Sequence, residues 1–72
     1  MQISLKYGGE TITLSVPAAT EVGHIRTKTS QLEDLGVPSN YTFDVNGQGV
    51  SDSSILQEGD SVSFRVVSAT KG

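Results

Sequence analysis

Without cysteine, the chemistry open to this chain rests on one histidine, eight acids, a run of hydroxyl side chains and its termini. The missing thiol removes disulfides, thiolate zinc sites, iron–sulfur clusters and thiol nucleophiles together. His24 has no second ligand or nucleophile at a useful spacing, so it reads as a helix-surface side chain. Asp52, Glu58 and Asp60 lie in a polar connection and read as solvated loop acids and turn formers. The run Asp44-x-Asn46-x-Gln48-Gly49 opens like a calcium-binding loop. Its twelfth position is Ile55, where a bidentate Glu is required, and the second flanking helix is missing. Gly47-x-Gly49 lacks the third glycine of a dinucleotide fingerprint and does not open a helix. The residues therefore predict no catalytic constellation, no metal site and no cofactor.

One candidate remains, the end of the chain. Ser68-Ala69-Thr70-Lys71-Gly72 has small side chains and no apolar period. A narrow enzyme channel admits an extended segment of this kind, and Gly72 leaves its carboxylate unhindered for adenylation. The same five residues also describe an ordinary polar terminus, and the residues alone favour that plainer description.

The elements that must carry such an end can be read from periodicity. Met1, Ile3, Leu5 and Tyr7 alternate with Gln2, Ser4 and Lys6, the period of a half-buried strand. Gly8-Gly9 supplies a turn, and Ile12, Leu14 and Val16 repeat the alternation, so the opening reads as a β-hairpin closed off by Pro17. Thr20 is the expected N-cap of one helix with Glu21 in its first turn. Val22, Ile25, Thr29, Leu32 and Leu35 form its apolar stripe, and Gly36 before Val37-Pro38 stops it. Tyr41 to Val45 alternates as a third strand, and Asn46-Gly47 turns it into a brief strand at Gln48 to Val50. Ile55 and Leu56 are expected to plug the core from a loop, and Glu58-Gly59-Asp60 to turn into a last strand with Val62, Phe64 and Val66 inward. The expected fold is α+β, a mixed sheet of four to five strands packed on one helix, with a domain over residues 1–67 and a tail over 68–72.

Charge narrows the classes of partner. Eight acids against five bases give −3, which argues against a nucleic-acid or anionic-membrane surface. No apolar run is long enough for a membrane span, and the N-terminus begins directly with a strand pattern, so the expectation is a cytoplasmic monomer with no nucleic-acid or membrane partner.

Several motifs carry a family resemblance across the whole chain. MQISLK followed by GETITLSV resembles the opening hairpin of ubiquitin, with a turn one residue shorter, and Thr20 and the Gly36-Val37-Pro38 exit are similar to its helix boundaries. Val45-Asn46-Gly47, the Leu56 to Val62 run LQEGDSV and the final strand resemble the ThiS and MoaD sulfur-carrier branch of the same β-grasp superfamily. The Thr-Lys-Gly ending is similar to that of a small protein of bacterial plasmid PRTRC systems, which sits beside an E1-like protein. The resemblance implies a ubiquitin-like β-grasp domain that is not an enzyme but a bacterial modifier or carrier. An E1-like enzyme would activate Gly72 as an acyl-adenylate, for conjugation to an amine or conversion to a thiocarboxylate. Thr70 and Lys71 would line that enzyme's channel, and Lys6 and Lys28 are the candidate linkage lysines. Two departures stand out: Lys71 occupies a place where the family has glycine, and Gly8-Gly9, Thr42 and Ser68 lie near the places of ubiquitin's apolar recognition patch. The alternative is a non-covalent interaction module that docks another protein through its sheet.

Overall fold

Two glycines in succession set the first turn. Gly8 and Gly9 take φ of +59° and +87°, the left-handed values that a two-residue hairpin with the right twist demands. In the computed structural model, which describes residues 1–66, they join β1 (Gln2–Tyr7) to β2 (Glu10–Ser15) in antiparallel register, Leu5 opposite Ile12. The Asn46-Gly47 turn works likewise, with φ of +53° and +85°, and connects β3 (Tyr41–Val45) to β4 (Gln48–Val50). The last strand, β5 (Ser61–Val66), lies parallel to β1 and antiparallel to β3. The sheet order is β2-β1-β5-β3-β4, five strands with β5 at the centre.

The expected helix is present, with its first part wound as 3₁₀ and its second as α. A 3₁₀ helix spans Val22–Thr27, Lys28 interrupts it at φ −90° and ψ 63°, and α1 follows over Thr29–Leu35. The sequence explains the break. Gly23 weakens the first turn, β-branched Thr27 and Thr29 flank the break, and the Thr27 hydroxyl donates to the carbonyl of His24 at 2.7 Å. Thr20 does not cap the helix: its hydroxyl donates to the Pro17 carbonyl at 2.6 Å, and Glu21 occupies the cap position with no side-chain bond. Thr29 is exposed rather than part of the apolar stripe. The far end is as expected. Gly36 is left-handed at φ +77°, its N–H reaches the carbonyl of Glu33 at 3.0 Å, and the N–H of Val37 reaches that of Leu32 at 3.0 Å. That pair of bonds is a Schellman stop.

The core lies between the inner sheet face and these helices. Ile3, Leu5, Phe43, Val62, Val22, Ile25 and Leu56 are essentially buried. Tyr41, Phe43 and Phe64 meet edge-on or tilted with ring centres 5.2 to 5.6 Å apart. Two apolar residues expected inside are not. Ile55 is 52% exposed, because it forms a bridge with Glu21 at the rim while only Leu56 enters the core. Val66, the last residue of β5, is 42% exposed.

The connection before β5 is tied down along its length. The N–H groups of Val22 and Gly23 bond the carbonyls of Ser54 and Asp52 at 2.8 Å, and that of Leu56 bonds the carbonyl of Thr20 at 2.8 Å. Gly23 is needed here, since a Cβ would stand 2.8 Å from the Cβ of Asp52 and 3.0 Å from its carbonyl oxygen.

Candidate functional site

The strand that leads to the candidate attachment end is the best-supported one in the sheet. Arg65 and Val66 pair with Thr42 and Tyr41 of β3, and the Arg65 guanidinium reaches Asp44 at 2.9 Å. On the β1 side, the described pairing stops at Lys6 opposite Ser63. There the hairpin tip turns away and leaves a cleft of about 380 Å³ between Lys6, Tyr7, Gly8, Gly9, Glu10 and Thr11 on one wall and Ser63 and Phe64 on the other. Gly72, Thr70 and Lys71 lie outside the described residues, as do Val67 and Ser68.

The outer face of the sheet, away from the helices, is built of hydroxyls. Register places Thr13, Ser4 and Ser61 in one row and Thr11, Lys6, Ser63 and Asp44 in the next, with Thr42 and Arg65 beyond them. Thr42 is exposed on this face, and Gly8-Gly9 lines the cleft. The candidate linkage lysines sit apart. Lys6 is exposed on this outer face, whereas Lys28 is half-buried at the break between the 3₁₀ helix and α1.

The acids read as simple loop formers have specific structural tasks. Asp52 receives both Nε and Nη2 of Arg26, at 2.7 and 3.1 Å. The Arg26 guanidinium carbon also stands 4.8 Å from the ring centres of both Tyr41 and Phe43, within cation–π range of the aromatic cluster. The hydrogen bond from Arg26 holds the Asp52 carboxyl below its ordinary value, and the same bond raises Arg26. Glu58 accepts the N–H of Gln2 at 3.1 Å. Asp60 accepts the N–H of Gln57 at 2.8 Å and the side-chain amide of Asn46 at 3.1 Å, while the Asn46 amide oxygen accepts the N–H of Ser61 at 3.0 Å.

The Val-Asn-Gly and Leu-x-x-Gly-Asp-x-Val motifs therefore meet in space. They zip the β3–β4 turn to the turn that launches β5, and fix where the central strand begins. Sequence reading missed this lock because 14 residues separate Asn46 from Asp60; two turn signals at the same end of a sheet are the hint that was available. It also missed Arg26, for which nothing in the local pattern names Asp52 as partner.

His24 is exposed and lines a second cleft of about 280 Å³ with Pro17, Thr20 and Glu21. Among the described residues no group of three or more His, Cys, Asp or Glu side chains is arranged to hold a metal ion. Among them, too, no helix is long and apolar enough to cross a membrane.

Comparison with known proteins yields structural rather than sequence likeness. No protein-family model matches the chain. No curated protein matches it either. Among solved structures it is similar to the ubiquitin of Caldiarchaeum subterraneum, at 22% identity and a TM-score of 0.65, over 100% of this chain and 98% of that one. A ubiquitin-like protein from the same hyperthermophilic archaeon superposes with a TM-score of 0.58 at 22% identity, over 97% and 100% of the two chains. SAMP1 from Haloferax volcanii superposes with a TM-score of 0.63 at 15% identity, over 97% of each. At these identities the likeness is one of fold, and with the strand order and helix placement above it gives the conclusion that this chain has the ubiquitin-like β-grasp fold.

Proposed function

We propose that the chain is a ubiquitin-like modifier or carrier, bacterial by the resemblance of its ending, in which Gly72 is the reacting residue. The observation that carries this is the placement of β5, locked at its start by Asn46 and Asp60, held between β1 and β3 as far as Ser63 and paired with β3 up to Val66, six residues before Gly72. Support also comes from full-length structural likeness to an archaeal ubiquitin and to SAMP1.

The chemistry belongs to an E1-like adenylating partner. A carboxylate oxygen of Gly72 attacks the α-phosphorus of ATP, the bond to the β-phosphate breaks, and pyrophosphate leaves. The acyl-adenylate then loses AMP to an amine, giving an amide, or to a sulfur donor, giving a thiocarboxylate. Thr70 and Lys71 lie along the partner's channel. Lys6, exposed on the outer face, is the better acceptor of a linkage than half-buried Lys28. The chain is the group transferred rather than the catalyst, and it works in the cytoplasm, where ATP is available.

The test is ATP–pyrophosphate exchange with an E1-like adenylating enzyme. Exchange that depends on this chain and is abolished by deleting Gly72 supports the assignment. Exchange unaffected by the deletion, or absent with every such enzyme encoded near the gene, overturns it. A second reading, a non-covalent adaptor, draws on Lys71, a long cation where the family has glycine. A stable partner retained after removal of residues 69–72 would favour it.

A further inference from the structure

β2 is one of the two edge strands of the described sheet. Met1 and Val16 exchange both main-chain bonds, at 2.8 and 2.9 Å. Antiparallel alternation then makes Leu14, Ile12 and Glu10 the residues of β2 bonded to β1, and turns the N–H and C=O groups of Thr11, Thr13 and Ser15 outward. β2 is the last strand on that side of the sheet. Sheet edges are ordinarily blunted by lysine, proline, a bulge or brevity. Over Glu10–Ser15 there is no lysine, proline or glycine, and the strand is six residues long.

We propose that this edge pairs with the same edge of a second copy, antiparallel about a two-fold axis at Thr13. In that register Thr13 faces Thr13 and Thr11 faces Ser15, each pair exchanging two main-chain hydrogen bonds, because all three residues point their groups outward. Registers shifted by two residues lose one such pair. On the core side Ile12 stands opposite Leu14 of the other copy, so two half-exposed apolar side chains from each chain close on each other. On the outer side hydroxyls meet hydroxyls.

Charge at the seam does not oppose this pairing. The chain carries −3, which works against self-association in general. Glu10, the sole charged side chain of β2, falls beyond the last paired residue, opposite Val16 of the other copy. The seam is therefore uncharged. The opposite sheet edge, β4, has three residues including Gly49, so association closes as a dimer and does not propagate. A seam of six main-chain hydrogen bonds and four apolar side chains is small for a stable interface, so the dimer is weak and the chain is a monomer at micromolar concentration.

Sedimentation equilibrium and amide exchange by NMR over a dilution series test the pairing. The expected result is a concentration-dependent rise from monomer to dimer mass. Exchange at Thr11, Thr13 and Ser15 slows with concentration, while Ile12 and Leu14 are slow throughout. Thr13→Lys, which sets two ammonium groups face to face on the axis, weakens the dimer at least about tenfold. If Thr13→Lys fails to fold by circular dichroism, Ser15→Lys takes its place. A monomer mass up to 2 mM, dilution shifts that map elsewhere, or lysine variants that dimerise unchanged would each overturn the proposal. So would a β2 edge that binds only an unrelated extended peptide.

Discussion

Replacing Asn46 probes the lock that starts the central strand. Asn46 sits at φ +53°, donates to Asp60 at 3.1 Å and accepts the N–H of Ser61 at 3.0 Å. Each bond is solvent-accessible and contributes about 0.5–1.5 kcal/mol net. Alanine also pays a left-handed backbone penalty of about 1 kcal/mol relative to asparagine. Asn46→Ala is therefore expected to cost about 2–4 kcal/mol, and Asn46→Gly, which keeps the backbone at ease, about 1–3 kcal/mol. A chain of 72 residues has a total stability of roughly 4 to 11 kcal/mol, so the alanine variant is near the margin of folding. Asp60→Ala removes two accepted bonds and is expected to cost about 1–3 kcal/mol. The two positions share one bond, so a double-mutant cycle should show coupling of about 0.5–1.5 kcal/mol. Urea titration with linear extrapolation measures all four species. Asn46→Ala within about 0.5 kcal/mol of wild type, or additivity of the two alanine variants, would refute the reasoning.

Three further outcomes follow from single residues. Ala19 holds φ +64° with a Cβ that disfavours it, so Ala19→Gly should stabilise by about 0.5–1 kcal/mol, read as a raised thermal midpoint. Gly23→Ala should destabilise by about 1–3 kcal/mol despite alanine's helix preference, because its Cβ meets Asp52 at 2.8 Å; a neutral result in denaturation would mean that the 51–54 connection gives way. Asp52 is depressed below its ordinary value of 3.8 by Arg26, so its contribution is present above that value and lost as pH falls through the lower folded value. The stability gap between wild type and Asp52→Asn should thus be constant above about pH 5 and shrink toward about pH 2, and a gap that widens on acidification contradicts the pairing.

How much could be read in advance depended on how local the cause was. Both hairpins followed from neighbouring residues, since Gly8-Gly9 and Asn46-Gly47 each supply two positive φ values within one turn. The strand faces followed from alternation, and they held wherever a helix covers the sheet. Val66 failed because it ends β5, where alternation alone no longer decides burial. The 3₁₀ start of the helix was hidden for a similar reason: Val22 and Gly23 commit their N–H groups to Ser54 and Asp52, about thirty residues further along the chain, and Thr27 bonds its own turn. The candidate site divides likewise. Gly72 was nominated by its type and place alone, whereas Arg26–Asp52 and Asn46–Asp60 exist only once the chain has folded.

The central claim is that the carboxylate of Gly72 becomes an activated acyl group. Intact mass spectrometry of the chain, after incubation with an E1-like adenylating enzyme, ATP and hydroxylamine, tests it most directly. The expected product is one hydroxamate per chain, located at Gly72 by fragmentation and dependent on ATP. An unmodified mass in the presence of an enzyme that activates its own known partner, or a hydroxamate at any other carboxyl, would contradict the account.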